Sequence, residues 1–221
     1  MITDEAKRVT VFCGHYGSGK TNIAVNYALR LSSLGKPTAL ADVDIVNPYF
    51  RSKDSENELR DAGVEVVSLP FANTNVDLPS LPSQVYGLVE QRVRYAVFDV
   101  GGDDRGAYAL GRFSPYILEE NNFEMLFVVN FYRPLTRTAK EAFEVMREID
   151  KVCELPFTGI VNNSNLGDLT DEDCVRRSFE EAQKLSDLSQ MPIRFTSVCD
   201  KLTDRFRGDA FFPIHLQSKF F

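Results

Sequence analysis

Residues 14 to 21 run Gly-His-Tyr-Gly-Ser-Gly-Lys-Thr, which places Gly14, Gly19, Lys20 and Thr21 at the spacing G-x-x-x-x-G-K-[ST]. Glycines at those positions let successive main-chain N–H groups converge on one anion. The lysine adds a positive charge, and the threonine hydroxyl is a hard oxygen ligand suited to Mg²⁺. His15, Tyr16, Gly17 and Ser18 between them, with Asn22 just after, complete the expected phosphate-binding stretch. Lys20 is expected to reach the β- and γ-phosphates of a nucleoside triphosphate while Thr21 holds the metal.

Acidic residues stand where such a site needs them. Asp42 and Asp44 close "TALADVD", and Asp99 closes "YAVFD" three residues before Gly102. Magnesium keeps several waters, and a carboxylate holding one of them suits Asp99. Asp42 and Asp44 are candidates for orienting the attacking water, and Asp44 also for the metal. The Gly102 N–H is placed to sense a γ-phosphate, in a loop that would relax after hydrolysis. Asp103 and Asp104 read as solvated.

These residues need elements to hold them. Apolar runs at 8–13, 37–43, 64–69, 95–100, 124–130, 157–162 and 192–198 predict strands, and amphipathic segments at 20–34, 55–62, 82–91, 105–112, 135–150 and 171–187 predict helices. Strand and helix alternate throughout. That order predicts an α/β protein of three layers, a mainly parallel sheet of about seven strands with helices on both faces. Ligands of such sheets bind outside the carboxyl ends of the strands, where the glycine loop and the acids fall. No linker or repeat interrupts residues 1–221, which read as a single nucleotide-binding domain. The 69–82 stretch is the longest irregular segment and is expected to be functional or mobile, and "GDAFFPIHLQSKFF" at 208–221 takes no assignment.

Taken together, "GHYGSGKTNIAVNYALRLSSLGKPTALADVDIVNPYFR", "VFDVGG" and "GIVNN" resemble the MinD, ParA and Mrp superfamily of P-loop ATPases, with its CooC-like and CobQ and CobB-like members. The resemblance covers roughly residues 8 to 200 in order, and the phosphate loop is its specific part. It implies ATP and Mg²⁺ as ligands, a homodimer, and a D-x-D after the second strand matched by Asp42 and Asp44. It also implies a D-x-x-G switch at Asp99 to Gly102, and an adenine-contacting asparagine at Asn162. Members of the deviant type carry a signature lysine after the first glycine, which reaches the partner's nucleotide. His15 stands there, followed by Tyr16 where that type has glycine. Turnover that is slow or needs a partner is the expectation, because histidine is mostly neutral near pH 7.

Guanine selection by N-K-x-D uses a carboxylate as a double acceptor. The equivalent residues are Asn162, Asn163, Ser164 and Asn165, and an amide does not provide that acceptor, which favours ATP. With 25 Lys plus Arg against 32 Asp plus Glu and a net charge of -7, nucleic acid is not an expected partner. Cys13, Cys153, Cys174 and Cys199 lie far apart without a C-x-x-C pair, which favours reduced thiols over a local metal site. No apolar stretch or leader pattern points to a membrane, and a cytoplasmic location is expected.

The favoured function is a nucleotide-driven dimer or partner switch with slow ATP hydrolysis. A small-molecule kinase or ligase is the alternative. Its acceptor would be bound by residues 47–51, by the 69–82 loop and by Arg51, Asp77 and Tyr86, with Arg133 and Arg137 lending charge in place of a lid. A binding module without turnover is a third.

Overall fold

The computed structural model describes residues 5–43, 53–68, 83–102 and 104–216. Eight strands form one sheet: β1 (Val9–Cys13), β2 (Thr38–Asp42), β3 (Val64–Ser68), β4 (Tyr95–Asp99), β5 (Phe123–Val129), β6 (Gly159–Asn162), β7 (Ile193–Cys199) and β8 (Phe211–Ile214). Their spatial order is β3-β2-β4-β1-β5-β6-β7-β8, and every pair is parallel. The strand that ends at the glycine loop is therefore central, with β4 on one side and β5 on the other.

Parallel strands need crossovers, and helices supply them: α1 (Lys20–Ser33), α2 (Lys53–Asp61), α3 (Ser83–Glu90), α4 (Asp104–Gly111), α5 (Ser114–Glu120), α6 (Ala139–Cys153) and α7 (Glu172–Ser189). Successive residues of a strand point to opposite faces, and here both faces are covered, so β1 and β2 are buried along their whole length. Phe12, Leu40, Val97, Leu126 and Val161 pack with Ile23, Tyr27, Leu31 and Leu59 of α1 and α2. Val9, Val11, Ala39, Phe98 and Phe127 pack with residues of α3 to α7 on the other side. Each such aliphatic or aromatic side chain removed from water contributes about 2 kcal/mol. A satellite cluster of Val175, Val198 and Phe206 closes the β7 end.

The expectation of about seven strands falls one short. β8 is a four-residue strand containing Pro213, which sits at the sheet edge where a missing N–H costs no ladder bond. A helix, α5, also lies between the expected ones at 105–112 and 135–150. Pro115 opens it, and the Ser114 hydroxyl, donating to the Leu110 and Cys153 carbonyls, anchors it. No helix among the described residues is long and apolar enough to cross a membrane.

Candidate functional site

The loop from Gly14 to Gly19 joins the end of β1 to the start of α1, at the carboxyl edge of the sheet. Gly14 lies so close to the Val128 carbonyl of β5 that a Cβ there would collide with it. Gly19 caps α1 with φ of 87°, a left-handed conformation that suits glycine, and a Cβ at Gly19 would strike the Asn163 amide. Ser18 N–H donates to the His15 carbonyl at 3.1 Å and Ile23 N–H to the Gly19 carbonyl at 3.2 Å, closing the turn into the helix.

Lys20 and Thr21 open α1, and Asp99 ends β4 directly beside β1. Thr21 Oγ1 donates to Asp99 Oδ2 at 2.5 Å, so the expected metal ligands from the loop and from the sheet are in contact. Asp42 stands opposite Asp99 in the β2–β4 register, and the Val43 N–H donates to the Asp99 carbonyl at 2.8 Å. Asp42 and Asp99 are 2% and 1% exposed. Two buried carboxylates with a hydroxyl between them and the loop form an all-oxygen donor set, which fits a Mg²⁺ that keeps part of its water shell. Among the described residues there is no group of three or more His, Cys, Asp or Glu that would hold a metal without waters.

Lys20 is 6% exposed, and no hydrogen bond or ion pair reaches its ammonium group among the described residues. Ser18 is 2% exposed and its hydroxyl has no partner among the described residues. A lysine with no anion and a buried hydroxyl with no partner among the described residues, both at the glycine loop, are what a phosphate group would satisfy.

Gly102 lies against the loop from the other side. A Cβ on Gly102 would collide with the Gly14 carbonyl, and one on Gly106 of α4 would collide with Gly101. The glycine loop, the segment after β4 and α4 therefore touch backbone to backbone, and a shift of one is felt by the others.

The expected base contacts come out differently. Asn162 is fully buried: its Nδ2 donates to Ser178 Oγ at 2.7 Å, and its Oδ1 accepts from Ser164 Oγ at 2.7 Å and from Ser164 N–H at 3.2 Å. Asn163 is 1% exposed, donates to the Ser18 carbonyl at 2.6 Å and accepts from Ser197 Oγ. Neither amide offers an edge to a base in this structure. Both tie the loop after β6 to its neighbours, and Asn163 braces the glycine loop. Asn165, half-buried, uses its amide within the same loop, donating to the Asn163 carbonyl at 2.8 Å and accepting from Gly167 N–H at 3.1 Å.

A further residue that the sequence did not single out, Asn130, organises the turn after β5. It is 1% exposed; its Oδ1 accepts from Tyr132 N–H and Asn165 N–H, and its Nδ2 donates to the Asn165 carbonyl. Tyr132 donates its hydroxyl to the Cys174 carbonyl at 2.8 Å, and burial pushes its phenol pKa up. An asparagine directly after an apolar strand was the available signal, but its partner Asn165 lies 35 residues away.

His15 is half-buried, and its Nδ1 lies 3.0 Å from the Tyr16 carbonyl. A carbonyl only accepts, so that nitrogen carries the hydrogen. Tyr16 is 71% exposed at the tip of the loop. Asn22 lies on the first turn of α1, its carbonyl accepting from Asn26 Nδ2 at 2.8 Å. Tyr86 is a packing residue, its ring 4.8 Å from that of Phe113. Asp44, Asp103, residues 47–51 and the 69–82 loop with Asp77 lie outside the described residues.

The chain matches no protein-family model, and no curated protein matches it. Solved structures do match. The signal recognition particle receptor FtsY from Elizabethkingia anophelis, in complex with GDP, superposes with a TM-score of 0.54 at 19% identity, over 86% of this chain and 56% of that one. Chloroplast FtsY from Physcomitrella patens gives 0.54 at 20% identity over 85% and 57%. The signal recognition particle 54 kDa protein from Aeropyrum pernix, in complex with GDP, gives 0.54 at 16% identity over 85% and 40%. The chain thus spans about half the length of the proteins it resembles in these comparisons. With the parallel sheet, its helices on both faces and the glycine loop between β1 and α1, these likenesses show a P-loop NTPase-like α/β fold.

Proposed function

We propose that the chain binds a nucleoside triphosphate with Mg²⁺ on the Gly14 to Thr21 loop and hydrolyses it slowly, as a switch that governs assembly with a second copy or another protein. One observation carries this: Lys20 is buried, unpaired among the described residues, and mounted on a loop whose glycines admit backbone to backbone contact. Gly14 to Gly19 would cradle the phosphates with main-chain N–H groups, Lys20 and Ser18 would bond their oxygens, and Thr21 with Asp99 would hold the metal, with Asp42 beside them. Bound Mg²⁺ would neutralise the phosphate charge that develops as the terminal group leaves. Asp44 is proposed to orient the water and Gly102 to sense the terminal phosphate.

ATP is the proposed nucleotide, because Asn165 stands where an acid would read guanine. GTP is the second reading, since FtsY and the 54 kDa protein among the fold neighbours were solved with GDP. The likeness of "GHYGSGKTN", "ADVD" and "VFDVGG" to the MinD, ParA and Mrp superfamily supports the switch. So do Tyr16, Leu135, Leu166 and Leu169, which are 71%, 62%, 43% and 80% exposed on the loops after β1, β5 and β6, around the mouth of the site.

Calorimetry with ATP, GTP and Mg²⁺ tests binding. Lys20→Ala is expected to abolish the heat, and GTP to compete weakly against ATP. Phosphate release that grows faster than linearly with protein concentration is the expected mark of an active dimer. A wild-type chain that binds neither nucleotide would refute the proposal.

A further inference from the structure

The site has one positive charge that its loop motif does not supply. Arg133 lies in the turn after β5, the strand next to β1, and its side chain runs across the tip of the glycine loop. Its Cδ and Nε are 3.8 and 3.9 Å from the point where a Cβ on Gly17 would sit. Its guanidinium makes no hydrogen bond or ion pair among the described residues, although the chain as a whole is acidic.

The turn that carries it is rigid. Arg133 N–H donates to the Asn130 carbonyl at 3.1 Å, Thr136 Oγ1 donates to the same carbonyl at 2.8 Å, and Thr136 N–H donates to the Arg133 carbonyl at 3.3 Å. Leu135 is held at φ of 68°, a left-handed conformation that a leucine adopts only under constraint. A long cation with no partner is therefore mounted on a pinned turn and laid over an anion-binding loop.

His15 does not duplicate that charge. Its Nδ1–H is engaged by the Tyr16 carbonyl, so that nitrogen is not free to donate to a phosphate.

We infer that Arg133 is a phosphate-contacting residue, which reaches over Gly17 to the terminal phosphate of the bound triphosphate and supplies within one chain the second cation of the site. The inference rests on the proposed triphosphate binding. In hydrolysis a water oxygen bonds to the γ-phosphorus, and the bond from that phosphorus to the β,γ-bridging oxygen breaks with its electron pair going to the β-phosphate. The water proton leaves with the phosphate product. The guanidinium takes no proton; it offsets the charge on the terminal and bridging oxygens, a task to which its planar, permanently charged fork is suited.

The test compares wild type, Arg133→Ala, Arg133→Lys and the surface control Lys140→Ala. It uses titration calorimetry with Mg²⁺ and either ATP or ADP, together with phosphate release. Arg133→Ala is expected to weaken ATP about tenfold or more, the worth of a charged hydrogen bond, while ADP stays within about twofold. Phosphate release is expected to fall about 100-fold, Arg133→Lys to recover part of both losses, and Lys140→Ala to match wild type. Arg133→Ala that binds ATP as wild type does, or that weakens ATP and ADP equally, overturns the inference and leaves triphosphate binding standing. A wild-type chain that binds no nucleotide takes both down together.

Discussion

A buried ammonium group without a counter-charge raises the free energy of the chain that holds it. Lys20, 6% exposed as a residue and without an anionic partner among the described residues, predicts a trade between stability and binding. Lys20→Met is expected to raise the nucleotide-free unfolding free energy by about 1 kcal/mol and to eliminate ATP binding, read by urea titration and calorimetry on the same sample. Asn163 works in the opposite sense. Asn163→Ala leaves the Ser18 carbonyl and the Ser197 hydroxyl without a partner, and is expected to cost about 2 kcal/mol and to weaken nucleotide binding. The two residues also differ in how they read from sequence. That Lys20 and Thr21 would open α1 beside Asp99 was legible because short motifs fix that placement locally. The brace that Asn163 forms was not legible, since its partner Ser18 lies 145 residues away and no local pattern encodes that distance. Asn162 looked available to a base, but burial and the hydroxyls of Ser164 and Ser178 had already claimed it.

Helices α6 and α7 show how caps set the pH range of the fold. Thr138 accepts from Glu141 N–H while Glu141 reaches back to the Thr138 N–H, and Glu181 of α7 accepts from Ala139 N–H. Thr138→Ala is expected to cost about 1 kcal/mol in urea titration. Lys184, with the Ala139 N–H, holds the Glu181 carboxyl below the usual carboxylate range, and the Cys174 N–H does the same for Asp171 at the start of α7. A carboxylate with a lowered folded-state pKa stabilises above its unfolded pKa, and that stability is lost as pH falls through the folded value. Urea midpoints of wild type are therefore expected to drop more steeply below about pH 4.3 than those of Glu181→Gln, in which that linkage is absent. Seven strands and six helices were legible as periodic runs. β8 and α5 were not: one is four residues with a proline, the other seven residues with two buried, so tertiary contacts rather than local pattern hold them. The ends of β2 and β4 were readable as acid positions, yet only the register shows Asp42 facing Asp99.

Across the molecule, Glu124 ties α1, β1 and β7 to the centre of the sheet. It is 4% exposed, accepts from the Tyr27 hydroxyl at 3.2 Å, lies 3.5 Å from the Thr10 hydroxyl and pairs with Arg194 at 3.1 Å. Burial, then the charge of Glu124, pushes the Tyr27 phenol up, so it remains a donor across the accessible pH range. Arg194→Ala removes the positive partner of that buried carboxylate and is expected to cost about 3 kcal/mol in urea titration. The strand order has one more consequence. Phe12 is registered with Asp99 of β4, and Cys13 with Phe127 of β5, so the partners that flank the glycine loop come from residues made about 90 to 115 positions later. A ribosome must add about a hundred further residues before the glycine loop has anything to lean on. Nascent chains released after residue 110 are expected to ignore a nucleotide affinity resin that captures the finished product, which makes ligand capture a late checkpoint on birth rather than an early one.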